Sequence, residues 1–131
     1  MMQYKIINIK GISDDRGSLA VLENHDLPFK IKRVFWIKGV NSNAVRGNHA
    51  HYKTKLCLVC INGQCKINLD DATKKIDLSL RNNQGLILQP HFWHTISEFS
   101  DDCILLVLAS EEYDEKDYIR DYSKFKEVYN K

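Results

Sequence analysis

Apolar and polar residues alternate in short runs through most of the chain, and turn residues cut those runs every few positions. A period of two bounded by Gly, Asn, Asp and Pro predicts half-buried β-strands. Tyr4 to Ile9 is the first such run, and Gly11-Ile12-Ser13-Asp14-Asp15-Arg16-Gly17 has turn chemistry. Ser18 to Glu23 predicts a strand that Asn24-His25-Asp26-Leu27-Pro28 breaks. Lys32 to Lys38 is β-branched and aromatic, Gly39 to Asn48 is a loop, and His49 to His51 opens the next strand. Lys55 to Ile61 is a buried strand.

Asn62-Gly63 is the strongest hairpin signal in the chain, since type I′ turns need positive φ at both central residues. Cys65 to Leu69 and Lys75 to Leu80 alternate on either side of the turn Asp70-Asp71-Ala72-Thr73, where Ala72 stands at a position easier for glycine. Arg81 to Gly85 turns, Gly85 to Pro90 leads to the aromatic, histidine-rich patch His91-Phe92-Trp93-His94, and Cys103 to Ala109 is apolar enough to be buried on both faces. Only the tail, Asp114 to Asn130, predicts a helix. There Tyr118, Ile119, Tyr122, Phe125 and Val128 recur at three- and four-residue steps. About ten short strands and one terminal helix predict an all-β sandwich or barrel such as a jelly roll.

Composition narrows the class. A chain of 131 residues fits one domain, expected over residues 1–131, and 44% hydrophobic with 27% charged residues suits a globular protein. The net charge of +2 is too small and too dispersed to expect nucleic-acid binding. Met1-Met2-Gln3-Tyr4-Lys5 has no secretory pattern, and no apolar run approaches the roughly 18 residues of a membrane span. The expectation is therefore a cytoplasmic protein with no membrane partner.

Cys57 and Cys60 form a Cys-x-x-Cys pair inside an apolar run. Residues three apart on a strand face opposite sides, so these thiols diverge and predict core residues rather than a zinc or redox motif.

Four of the five histidines fall in two groups, His49 with His51 and His91 with His94. At i and i+2 on a strand, two imidazoles share one face roughly 6–7 Å apart. Three readings of the pair stand side by side: half of a metal site, metal-free acid/base catalysis, or ordinary polar residues at a loop mouth. The spacing then resembles the first motif of the cupin superfamily, His-x-His, four residues, Glu, six residues, Gly. Here it is met by His49, His51, Leu56 and Gly63, and the second motif is echoed by Gly85, Pro90 and His94. Leu56 replaces the anionic ligand of metal-binding cupins, which removes a coordination bond and charge neutralisation together. No metal is expected.

A longer set of blocks, Asp15-Arg16-Gly17, the stretch Pro28 to Val34, Arg46-Gly47-Asn48-His49-Ala50-His51, Trp93-His94, Leu106 to Ser110, and Tyr113 to Tyr122, resembles the dTDP-sugar 3,4-ketoisomerases. The resemblance implies a cupin double-stranded β-helix (jelly roll) and a homodimer. It also implies a metal-free, cofactor-free isomerase that moves the carbonyl of dTDP-4-oxo-6-deoxy-glucose from C4 to C3. It gives His49 as the carbon base and His51 as the oxygen shuttle. Substrate-binding candidates are Arg46, Arg16, Arg33, Asn48, Trp93 and His94. Asp15-Arg16-Gly17 resembles the branch that makes the galacto product.

Two departures stand out. Relatives often carry tyrosine where this chain has Phe35 or Trp36, and many have glutamine at Leu56. The alternatives are a metal-dependent cupin enzyme, a dTDP-sugar 3,5-epimerase, and a non-catalytic sugar-nucleotide-binding module.

Overall fold

The computed structural model describes residues 3–130. Met1, Met2 and Lys131, part of the expected 1–131 domain, lie outside the described residues. Among the described residues twelve strands precede one α-helix. Strands β1 (Tyr4–Asn8), β9 (Gln84–Leu88), β6 (Leu56–Asn62), β11 (Ile104–Ala109) and β4 (Arg33–Lys38) form one sheet in that order. The second sheet runs β12 (Tyr118–Ile119), β5 (Arg46–His51), β10 (Trp93–Ser97), β7 (Gln64–Asp70) and β8 (Lys75–Arg81). A separate hairpin joins β2 (Lys10–Asp14) to β3 (Gly17–Val21). This is the all-β jelly roll of the cupins, closed by helix α1 (Tyr122–Tyr129).

Alternation along the strands makes the layers. Leu56, Leu58 and Cys60 of β6 join Cys65, Ile67 and Leu69 of β7 and Leu105, Val107 and Ala109 of β11 in the core between the sheets. The intervening Cys57 and Val59 face outward, under Leu27, Phe29 and Ile31. Cys57 and Cys60 therefore belong to different clusters, as residues three apart on a strand must. Burial pushes the Cys57 and Cys60 thiols up to about 12, so both are protonated core groups. A third cluster of Ala50, Trp93, Ile119 and Phe125 seats α1 on the second sheet.

Four expectations need correction. Asn62-Gly63 is no hairpin: β6 pairs with β9 and β11, while β7 pairs with β8 and β10, so this turn carries the chain from one sheet to the other. Only Gly63 takes positive φ there (75°), and a Cβ on it would strike the Ser100 hydroxyl and come within 2.6 Å of Asp102 Oδ1. Gly11 to Gly17 is mostly strand. Its polar residues pair across the β2–β3 hairpin, and only Asp15 and Arg16 turn. The strand holding His49 starts at Arg46, inside the expected loop.

The tail is not one helix. A single 3₁₀ turn (Glu115–Asp117) leads to β12, and α1 begins only after Asp121, whose carboxylate accepts from Ser123 N. Backbone pairing of Tyr118 with His51 and Ile119 with Ala50 captures this piece at the sheet edge. Long-range pairing overrides a three- and four-residue apolar rhythm that fits either state. No helix among the described residues is long and apolar enough to cross a membrane.

Candidate active site

A cavity of about 200 Å³ opens between the two sheets. One wall is apolar, made by Phe35, Ile37, Leu56, Leu58, Ile96 and Val107. Its polar side carries His49, His51, His94, Arg33, Arg46, Tyr118 and Arg120.

Strand β5 supplies most of that chemistry through an irregularity. His94 of β10 is in register with His49, but Thr95 is in register with Gly47, so Asn48 is an extra residue on β5. A β-bulge of this kind resets which side chains share a face. Arg46 and His49, three apart, would point to opposite faces of a regular strand. With the bulge between them both line the cavity, together with His51. Gly47 (φ 79°) and Asn48 (φ 66°) take the left-handed backbone that the bulge requires. A Cβ on Gly47 would lie 2.9 Å from the carbonyl oxygen of His94.

The three imidazoles converge. Ring centroids of His49 and His94 are 4.8 Å apart, those of His49 and His51 5.1 Å, and those of His51 and His94 6.2 Å. In each ring Nδ1 has an acceptor close by. His49 Nδ1 is 3.1 Å from the Gly47 carbonyl oxygen, and His94 Nδ1 is 3.4 Å from that of Phe92. His51 Nδ1 is 3.3 Å from Asp117 Oδ2, in a bent contact that leaves it without an aligned hydrogen bond. Hydrogen on Nδ1 leaves Nε2 as the free base, a tautomer assigned here from the acceptors.

Burial, then the neighbouring His51, lowers the His49 pKa to about 4, while the Gly47 carbonyl resists. Burial and then His49 lower His94 to about 3. His51 is also lowered, by burial first and His94 second, against the pull of Asp117. All three rings are neutral near pH 7 and can accept protons.

Cationic groups face these neutral bases. Nη1 of Arg33 donates to the Tyr118 hydroxyl (3.3 Å), its guanidinium lies 5.4 Å from the Phe35 ring, and its Nε is buried without a partner. Neither Arg33 nor Arg46 has a carboxylate within ion-pair distance among the described residues. Arg120, by contrast, is clamped by both oxygens of Glu115 (2.7 and 2.9 Å) and stacks on Tyr118 at 4.5 Å. Two uncompensated guanidiniums at one pocket fit an anionic ligand.

The donors do not fit a cupin metal centre. Leu56, 4% exposed, is part of the cavity wall where the carboxylate ligand would stand. Among the described residues no group of three or more His, Cys, Asp or Glu side chains is arranged to hold an ion.

Of the expected site residues, His49, His51, His94, Arg33 and Arg46 come together at this cavity. Three others do not. Trp93 points the other way on β10 and packs against Tyr122 and Phe125 beneath α1. Asn48 is the exposed bulge residue, where its backbone is what matters. Arg16 sits on the β2–β3 turn, 86% exposed and paired with Asp14, outside this cavity.

Sequence reasoning missed Asp117, Tyr118 and Arg120 as site residues, because a helix over this stretch would not bring them to β5. Tyr118 restores a phenol to the pocket. Phe35 is the apolar wall there, while Trp36, 61% exposed, faces away.

One curated relative, TDP-4-oxo-6-deoxy-alpha-D-glucose-3,4-oxoisomerase from Aneurinibacillus thermoaerophilus, is 47% identical over 127 residues, covering 95% of this chain and 91% of its own. A 3,4-ketoisomerase structure from Helicobacter canadensis superposes with a TM-score of 0.94 at 40% identity, over 100% of both chains. A histidine-to-asparagine mutant of the 3,4-ketoisomerase QdtA from Thermoanaerobacterium thermosaccharolyticum, in complex with TDP-4-keto-6-deoxyglucose, gives 0.93 at 38% identity, over 97% of this chain and 94% of that one. Residues 2–130 match the family described as FdtA, WxcM-like, C-terminal, and the chain belongs to that family.

Proposed function

We propose that this protein is a sugar-nucleotide 3,4-ketoisomerase that converts dTDP-4-oxo-6-deoxy-glucose to a dTDP-3-oxo-6-deoxy-hexose. The observation that carries the reading is the pair of neutral imidazoles, His49 and His51, on one face of β5 beside the uncompensated Arg33 and Arg46. The names of the similar proteins support the reaction and the nucleotide-sugar substrate.

The chemistry follows from the groups at hand. The C4 ketone acidifies the hydrogen on C3, and His49 takes it as a proton, leaving an enediolate across C3 and C4. His51 accepts the proton of the C3 hydroxyl and delivers it to the oxygen on C4. A proton returned to C4 closes the cycle, with the ketone now at C3 and no net oxidation. Arg33 and Arg46 supply the positive field for the diphosphate and the developing oxyanion. The apolar wall of Phe35, Leu56 and Val107 keeps bulk water from the enediolate. Tyr118, held by Arg33, presents a further hydroxyl to the sugar.

The chain works as one cupin domain in the cytoplasm, and its 3-oxo product suits an aminotransferase making 3-amino-3,6-dideoxy sugars. Asp15-Arg16-Gly17 favours the galacto configuration at C4. A homodimer is supported by apolar side chains exposed on the free hairpin (Ile12 71%, Leu19 58%) and on edge strand β4 (Val34 49%, Trp36 61%). Incubating the protein with the 4-oxo sugar nucleotide in heavy water tests the function. A 3-oxo product carrying deuterium at C4 supports it, and unchanged substrate contradicts it.

A further inference from the structure

One buried charge has no part in the chemistry above. Asp117 is 5% exposed, yet among the described residues no lysine or arginine lies within ion-pair distance of it. Its one ion-pair contact is His51 Nδ1 at 3.3 Å, with both side chains 3% exposed. Its oxygens also accept from Lys53 N (2.8 Å), from Thr54 N (3.2 Å) and, in a short contact, from the Thr54 hydroxyl. These donors outweigh the cost of burial and keep the carboxyl below its ordinary pKa, ionised at neutral pH. A carboxylate buried without a permanent cation is costly. Tying two backbone amides needs only a neutral acceptor, so the loop alone does not account for a charge here.

The backbone that carries the His51 ring is also tied down. The backbone of His51 pairs with Tyr118 on β12, and its carbonyl accepts from the Tyr129 hydroxyl of α1 at 2.8 Å. Ring and carboxylate therefore come from elements locked to each other, and His51 is the one cavity histidine with an anion behind it.

We propose that Asp117 is a positioning residue for His51. Its carboxylate faces Nδ1 at 3.3 Å, favours hydrogen on that nitrogen so that Nε2 is the proton acceptor, and offsets the charge that the ring takes on while carrying a proton. The step balances without any co-reactant. The O–H bond of the C3 hydroxyl breaks to Nε2, forming an imidazolium opposite Asp117, and the N–H bond then breaks to the C4 oxygen, restoring the neutral ring. The 3.3 Å contact tightens when the ring is charged. His49, whose Nδ1 meets only a carbonyl, has no such support and suits a shorter-lived protonation.

The role of His51 as shuttle rests on the proposed isomerase reaction, but its tautomer can be read without substrate. Nitrogen-15 spectra of histidine-labelled protein at pH 7.5 are expected to show His51 with hydrogen on Nδ1, and an Nε2–H form in the resting protein would overturn the proposal. In Asp117→Asn the amide can turn its NH₂ toward Nδ1, which moves the hydrogen to Nε2. That variant is expected to lose about 10²-fold in kcat with KM changed less than threefold, and to show the Nε2–H form. A kcat within twofold of the parent, or a loss confined to KM, would overturn it. If Asp117→Asn does not fold, the spectrum of the parent protein still decides. A parent protein that shows the Nδ1–H form but leaves the 4-oxo sugar unchanged refutes the isomerase reading and not the pairing.

Discussion

Arg46 and His49 stand three residues apart on β5 and line the same cavity, because Asn48 is an extra residue between them. The guanidinium and the first imidazole of the site thus owe their common face to backbone conformation at Gly47 and Asn48. Gly47→Ala meets two obstacles, a φ of 79° and a Cβ 2.9 Å from the His94 carbonyl. It is expected to cost about 1–3 kcal/mol in stability and most of the activity. Asn48→Ala keeps the bulge at a cost of about 1 kcal/mol, with KM little changed. Denaturant unfolding beside steady-state kinetics checks both. A tenfold rise in KM for Asn48→Ala would mean that its side chain, not its backbone, serves the substrate.

Arg33 and Arg46 should differ from Arg120, whose charge Glu115 already occupies. Alanine at either free arginine is expected to raise KM by roughly ten- to a hundredfold, the loss of a charge-assisted hydrogen bond of about 1.5–3 kcal/mol. Arg33→Lys should recover little of this, since an ammonium cannot reproduce the fork that reaches the Tyr118 hydroxyl. Full recovery by lysine would show that only net charge matters there.

Stability should depend on pH through the buried histidines. Their native pKa values lie below the ordinary 6.5, at about 4 for His49 and about 3 for His94. The unfolded chain therefore binds more protons than the native one between those limits, and stability rises with pH across that window. Thermal midpoints should hold above pH 7, then fall as the pH drops from about 6.5 toward 4. Replacing His94 with a neutral residue of similar size should flatten the slope. A midpoint independent of pH between 7 and 4.5 would show that these rings are not held neutral.

Metal dependence should separate this protein from the cupins whose histidines bind an ion. With Leu56 in place of a carboxylate, activity is expected to survive dialysis against EDTA, with no stoichiometric metal by elemental analysis. Activity lost to the chelator and restored by one divalent ion would overturn that expectation.

Most of the fold was legible because period-two runs such as Lys32–Lys38 and Cys65–Leu69 report which side of a strand is buried. The histidine pair was legible for the same reason, since i and i+2 share a face whatever the strand pairs with. What escaped notice depended on partners distant in sequence. Asn62-Gly63 has hairpin chemistry, yet its flanking strands belong to different sheets. Tyr118 and Ile119 fit a helical rhythm, yet pairing with His51 and Ala50 makes them a strand. That one misread segment concealed Asp117, Tyr118 and Arg120 together. Trp93 shares a resemblance block with His94, but neighbours on a strand face opposite sides, so it lies under α1.

The most direct test of the central claim follows the 4-oxo sugar nucleotide by NMR in heavy water, with the parent protein and with His49→Asn. The parent is expected to yield the 3-oxo isomer with deuterium at C4, the signals of that carbon also giving its configuration. His49→Asn is expected to slow this by about 10²–10⁴-fold while still binding dTDP. Full turnover by His49→Asn, or no exchange by the parent protein, would contradict a proton relay built on His49 and His51.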